Sequence, residues 1–363
     1  MDLKHYFDIP PNIIYLNTPG NGLMPQMHYE WRKEWERIFY DPSGHLRDQQ
    51  PQIIAEVKRN FAKLFHAKTE NTYLIPNFSF GLHALLSGLP ANSHIAILEG
   101  DYPSLNYPVI SRGFSYDIIP IKLHVEEDIR KVVKAKKINV LFLSIVQYIS
   151  GLKIDLEFIK SLKVEHPELI IVGDATQYLG TEPFNFMESG FDAVGGSGYK
   201  WMMAGFGNGY MMLSDRLKRA IYKDAQLGPL PMEAMWSTKT ILDSFFEPGH
   251  QDTLSHGTLL QSVQFLSEIG LDNVKRHIND LVDHAYEALE GRNLLLPEIA
   301  NRTVRSSLIN IQLPFKVYNI LMAQGIKCFP RGTGIRIGLH LYNTKEDIDK
   351  LLEIVDKIKD DEF

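Results

Sequence analysis

Leu169-Ile170-Ile171-Val172 is a run of large apolar residues without alternation, and it stops abruptly at Gly173-Asp174. A strand with one wet face alternates apolar and polar side chains, so an unbroken run reads as a strand buried on both faces. Such strands belong to parallel sheets covered by helices on either side. The pattern recurs along the chain. Apolar runs at Thr72-Tyr73-Leu74-Ile75, at His94 to Leu98, at about 115–120 and at about 138–146 alternate with stretches of helical period at about 124–136 and about 155–166. This alternation predicts an α/β fold with a mostly parallel central sheet. Asp174 then stands at a strand's carboxyl end, the edge at which open α/β sheets bind ligands.

A second run, Phe191-Asp192-Ala193-Val194, leads into Gly195-Gly196-Ser197-Gly198, read here as a sharp turn where the backbone can approach a ligand closely, and Lys200 follows. A carboxylate and an amine 26 residues apart (200 minus 174), each released from the end of an apolar strand, are the two groups that pyridoxal 5′-phosphate (PLP) chemistry requires. The lysine holds the cofactor aldehyde as a Schiff base, and the aspartate keeps the pyridine nitrogen protonated so that the ring accepts electrons from Cα. Taken singly, Asp174 also fits a turn cap and Lys200 a solvated loop residue. The combination favours the cofactor.

The motifs D-A-x-Q at Asp174 to Gln177, S-G-Y-K-W at Ser197 to Trp201 and A-G-F-G-N-G after it resemble the class V aminotransferase family of fold-type I PLP enzymes. That family includes cysteine desulfurases, isopenicillin N epimerase-like proteins and kynureninases. The resemblance implies that Asp174 meets the pyridine nitrogen, Gln177 the ring hydroxyl, Ser197 and Tyr199 the phosphate, and that Lys200 carries the cofactor. Tyr199 stands where desulfurases and epimerases usually have histidine and kynureninases tyrosine, whereas Gln177 is the desulfurase-like choice.

Further segments fall into the same register. Asn17 to Gly22 follows a short strand at Ile13 to Leu16 and reads as a turn; by resemblance the stretch to Pro25, Asn21 included, lines the substrate side of the cleft. Ser79-Phe80-Gly81 opens a helix after a strand, which is a ready anion site, so Ser79 and Phe80 are expected at the phosphate; an ordinary N-cap at Ser79 is the alternative. Tyr102, in Glu99-Gly100-Asp101-Tyr102-Pro103-Ser104, falls on the aromatic that stacks over the cofactor ring, or else packs on the core. Tyr148 replaces the asparagine of desulfurases, and its role stays open. His250, in Phe245 to Thr253, matches a segment that reaches across a dimer interface to the neighbour's phosphate, and a surface histidine fits as well. Arg336, before Tyr342-Asn343-Thr344, matches the arginine that takes the substrate α-carboxylate as a bidentate donor; a strand arginine paired with a surface acid is the alternative.

Composition excludes other classes. At 363 residues with 44% hydrophobic and 23% charged residues the chain suits a large α/β domain plus a smaller α+β one, assigned here as 17–261 against 1–16 with 262–363. No apolar run approaches a membrane span, the N-terminus lacks a secretory pattern, and a net charge of −6 gives no electrostatic footprint for nucleic acid. The 13 histidines form no metal-ligand pattern, and the single cysteine, Cys328, fits a reducing cytoplasm. The expected function is PLP-dependent chemistry at Cα of an amino acid or keto acid, foremost transamination, with epimerisation and lysis as alternatives, in a homodimer. A nicotinamide-dependent oxidoreductase is disfavoured, since no GxGxxG follows an early strand.

Overall fold

The computed structural model describes residues 3–362 except 231, 234, 235, 237 and 238, with side chains described as far as residue 358. Strand β1 (Ile14–Tyr15) precedes two helices, Gln26–Tyr40 and Leu46–Leu64. The central sheet contains β2 (Thr72–Ile75), β3 (His94–Leu98), β4 (Ser115–Ile119), β5 (Val140–Ser144), β6 (Ile170–Asp174), β7 (Ala193–Ser197) and β8 (Gly209–Leu213), in the spatial order β2-β8-β7-β6-β5-β3-β4. Pairing from β4 through β3, β5, β6 and β7 is parallel, and β8 runs antiparallel to both β7 and β2. The apolar runs at β3, β5 and β6 are therefore parallel strands, as read from the sequence, whereas the run at β2 is antiparallel to β8 and β4 is a largely exposed edge. Parallel neighbours need crossovers, and helices supply them. Val125–Lys136 is one, burying Val125, Ile129 and Val133 as an i, i+4, i+8 stripe, with acids in its first turn and lysines in its last to match the helix dipole.

One reading needs correction. Gly195 and Gly196 do not form a turn after the strand; they lie within β7, buried and paired with Met211 and Tyr210 of β8. A Cβ on Gly196 would sit 2.2 Å from the Tyr210 hydroxyl, and one on Gly195 2.7 Å from the Met211 methyl. The glycines are there because large β8 side chains occupy the space that their own would take. The turn begins afterwards, at Gly198.

Beyond the central sheet, β9 (Leu308–Ile311), β10 (Ile326–Lys327), β11 (Phe329–Arg331) and β12 (Gly334–Gly338) follow. The order β11-β12-β9 makes an antiparallel sheet, and β10 pairs with β1 in parallel. The chain changes sheets at Cys328, between β10 and β11. The last helix, Lys345–Glu362, starts with reciprocal bonds: the Asp347 amide donates to Thr344 Oγ1 (3.3 Å) and the Thr344 amide to Asp347 Oδ2 (3.2 Å). A helix at Thr253–Ile269 spans the sequence-based boundary at 261/262. It packs so closely on the first helix that a Cβ on Gly257 would lie 2.2 Å from Trp31. One apolar cluster runs from Leu141 and Val194 of the sheet through Leu266 to Tyr342 and Leu352.

Candidate active site

The carboxyl ends of β5, β6 and β7, with the turn before β8, enclose a cleft of about 560 Å³. Its walls include Ser79, Tyr102, Tyr148, Asp174, Gln177, Ser197, Tyr199 and Lys200. Seven of the eleven residues given a role from the sequence therefore meet in one cavity, together with Tyr148, whose role was left open, and the cavity's size suits a cofactor with its substrate.

Asp174 ends β6 and is buried, and its Oδ1 accepts the Thr176 amide at 2.8 Å. Burial pushes its carboxyl up to about 6, against the pull of the Thr176 hydrogen bonds and the Lys200 charge. Lys200 is equally buried, and no hydrogen-bond acceptor among the described residues reaches its amine. Burial draws that amine down to about 8; the Asp174 charge opposes the change, and Arg336 and Arg331 add to it. Its Nζ lies 5.7 Å from the centre of the Tyr102 ring and 5.4 Å from that of Tyr199. An amine neutral for a sizeable fraction of the time near neutral pH can attack an aldehyde and can later accept a proton from carbon.

The phosphate side is built from the helix Phe78–Gly88. Its N-cap is Asn77, whose Oδ1 accepts the Phe80 amide at 3.0 Å, and the Phe78 amide donates to Ser197 Oγ at 3.0 Å. Ser79 is therefore not the cap, and its amide and hydroxyl are unpartnered among the described residues at the cleft wall. Donors left open at a helix start can receive an anion. Phe80 lies outside the lining, its amide spent on Asn77 and its ring packed against the apolar layer below. Tyr199 stacks on Phe206 at 4.6 Å, and burial lifts its hydroxyl to about 12, so it stays a donor.

Tyr102 meets Tyr148 edge to face, with ring centres 5.0 Å apart. Gln177 lines the cleft while its Nε2 donates to the Pro19 carbonyl (3.0 Å) and its Oε1 accepts from Trp201 Nε1 (2.8 Å). One N–H remains for a ligand. Arg336, on β12, is buried; its Nη1 donates to the Tyr148 carbonyl at 2.7 Å, and its Nε has no partner among the described residues. Burial, then the neighbouring Arg331, lowers it to about 10, which still leaves it charged at neutral pH. No carboxylate among the described residues bonds it, and a buried guanidinium with donors to spare can take an anion. Asn21 is outside the lining, with its carbonyl held by the Tyr15 hydroxyl at 2.8 Å, but the adjacent Gly22 amide donates to the Tyr199 carbonyl at 2.9 Å. The Asn17 to Gly22 turn is thus packed on the lysine's own backbone. His250 is exposed and bonds to Gln50 Oε1 at 2.9 Å, away from the cleft of its own chain.

Two groups escaped the sequence reading. Thr176, the variable residue of D-A-x-Q, accepts the Ser197 amide on Oγ1 (3.2 Å) while bonding Asp174, and so ties β6 to β7. Asp101 is fully buried; it accepts the Tyr102 amide (2.7 Å) and the Ser144 hydroxyl (2.6 Å) on Oδ1 and the Ser144 amide (2.8 Å) on Oδ2. Its signal was available: like Asp174, it is an acid released at the end of an apolar strand.

Among the described residues no helix is long and apolar enough to cross a membrane. The chain is 20% identical to an isopenicillin N epimerase of Streptomyces clavuligerus over 96% of both chains. It is 22% identical to an uncharacterized aminotransferase of Bacillus subtilis over 81% of this chain and 80% of that one. In structure it resembles an apo cysteine desulfurase from Thermococcus onnurineus (TM-score 0.81, 18% identity, 95% of this chain and 94% of that one). A cystine C–S lyase in complex with cysteine persulfide is as similar (TM-score 0.81, 18% identity, 94% and 97% covered). At such identities the structural matches establish the fold. The sequence model of aminotransferase class-V matches residues 33–351, and with this the chain belongs to the class-V aminotransferase family of PLP-dependent enzymes.

Proposed function

We propose that the protein is an aminotransferase in which Lys200 both carries the cofactor and moves the proton of the reacting amino acid. The observation that carries the reading is the buried Lys200 amine, lowered to about 8, in a cleft also lined by buried Asp174 and by Ser79 and Gln177, which have donors to spare. When bound, PLP supplies an electron sink for the pair left at Cα. Asp174 holds a proton against the pyridine nitrogen, and its own lifted proton affinity suits a shared proton. Ser79, Ser197 and Tyr199 take the phosphate, Tyr102 covers one face of the ring, and Arg336 takes the substrate α-carboxylate. Lys200 then acts as base and acid between Cα and the cofactor's C4′ carbon.

Cysteine desulfuration is disfavoured by Cys328. The thiol is buried at the change of sheets between β10 and β11, and burial pushes it up to about 12, whereas an attacking thiolate must be exposed and easily ionised. Epimerisation is the second reading; it needs a second acid on the face opposite Lys200, and the cleft-lining tyrosines Tyr102, Tyr148 and Tyr199 are the candidates. An amino-acid panel scored separately for keto acid, D-isomer, and alanine with sulfide decides among the three; D-isomer without keto acid overturns transamination.

Assembly as a homodimer belongs to the same proposal, with His250, exposed on its own chain, reaching the neighbour's phosphate. So do a division into a large PLP-binding unit and a smaller one, and a reducing, cytoplasmic location in keeping with the single thiol. Sedimentation of an active monomer would overturn the dimer.

A further inference from the structure

The hairpin of β11 and β12 carries a second arginine whose placement bears on the substrate. Residues paired across an antiparallel ladder present side chains to the same face, and so do residues two apart on one strand. Phe329 pairs with Arg336 and Arg331 with Gly334, so Phe329, Arg331 and Arg336 share one face, with Asn310 of β9 opposite Arg336 on that same face. This face is docked on the cleft wall. Arg336 Nη1 donates to the Tyr148 carbonyl, and Asn310 Nδ2 donates at 2.9 Å both to the Ile149 carbonyl and to that of Arg331. The hairpin turn is equally close, since a Cβ on Gly332 would lie 2.6 Å from the Ile149 side chain. The positive charge of Arg331 is felt by both Arg336 and Lys200.

Arg331 is exposed, its guanidinium carbon 4.9 Å from the centre of the Phe329 ring, and no carboxylate among the described residues pairs with it. Opposite Gly334, which has no side chain, nothing on the partner strand covers it. Among the described residues, the side-chain cations and acids that act on Lys200, Asp174 and Arg336 are these three themselves with Arg331 and Asp101. Asp174 is committed to the cofactor, Asp101 to Ser144 and Tyr102, and Arg336 to the α-carboxylate. One guanidinium, that of Arg331, is left over on the face it shares with Arg336.

We propose that Arg331 binds a second anionic group on the substrate, so that the enzyme prefers amino acids with an acidic side chain, such as glutamate or aspartate, over their neutral counterparts. The proposal rests on the amino-acid chemistry proposed above, with Arg336 as the α-carboxylate site. Glutamate and glutamine differ only in the terminal group, so the ratio of their kcat/KM values isolates the contact.

The test measures that ratio in the PLP-loaded wild type, in Arg331→Gln and in Arg331→Lys, together with calorimetric binding of two unreactive acids, glutarate and butyrate. The expected wild-type preference for glutamate over glutamine is about tenfold or more, falling to about unity in Arg331→Gln and partly kept in Arg331→Lys. Glutarate binds the wild type about tenfold more tightly than butyrate and loses that advantage in Arg331→Gln. Equal losses for glutamate and glutamine in Arg331→Gln would overturn the proposal, since Arg331 would then serve the α-carboxylate or the fold. So would a wild type that prefers glutamine. If no amino acid reacts, the transfer reading fails, and the two unreactive acids still decide this one.

Discussion

The lowered basicity of Lys200 sets how the empty protein takes up its cofactor. Only the neutral amine attacks the aldehyde, so capture should follow the neutral fraction of Lys200. With the amine at about 8, that fraction is about one-tenth at pH 7 and about nine-tenths at pH 9. Capture of limiting PLP, followed by visible absorbance, should therefore accelerate about tenfold over that interval and level off above it. A lysine at its ordinary value near 10.4 would instead gain about a hundredfold across the same range without levelling. The cause can be tested by removing Asp174. Its negative charge holds the Lys200 amine up, so Asp174→Asn should move the midpoint to lower pH and speed capture at pH 7, while turnover falls because the pyridine proton has lost its holder. A rate still climbing steeply beyond pH 9, or a midpoint that moves up in Asp174→Asn, would refute the reasoning.

Two further outcomes follow from buried groups. His256 and His340 are buried neutral, with burial drawing them to about 4 and about 3; His340 Nε2 also bonds the Trp201 carbonyl at 2.9 Å. Their folded values lie below the unfolded one, so the stability they allow is complete above about pH 6.5 and is lost as pH falls towards the folded values. Relative to His256→Phe, the wild type should lose about 1.4 kcal/mol per pH unit on acidification through that window, read by urea denaturation, and a constant difference would contradict it. Cys328 should resist thiol labelling until the chain unfolds. Cys328→Ala should keep most of the activity at a cost of about 1 kcal/mol in stability, whereas sulfide release from cysteine that disappears in the variant would make the protein a desulfurase.

The sheet was legible because strands buried on both faces leave unbroken apolar runs, and the site because Asp174 and Lys200 are released at their ends. What was not legible depends on contacts distant in sequence. The helix Thr253–Ile269 escaped because its first turns, Thr253-Leu254-Ser255-His256-Gly257-Thr258, are mostly polar yet largely buried against Trp31 and Arg32 of the first helix, so no apolar stripe marks them. The glycines of β7 gave a turn signal locally, and only Tyr210 and Met211 across the ladder explain why a strand needs them. Asp101 stands where a local pattern could have marked it, after an apolar strand, but its partner Ser144 lies 43 residues away and is visible only in the fold. The change of sheets at Cys328 likewise follows from β1, supplied by the opposite end of the chain.

The central claim is that Lys200 alone holds the cofactor covalently, and borohydride reduction of the PLP-loaded protein followed by peptide mass spectrometry tests it most directly. The account predicts one added pyridoxyl phosphate group on the peptide containing Tyr199-Lys200-Trp201, and none in Lys200→Ala. An adduct on another lysine, or none in protein saturated with the cofactor, would contradict it.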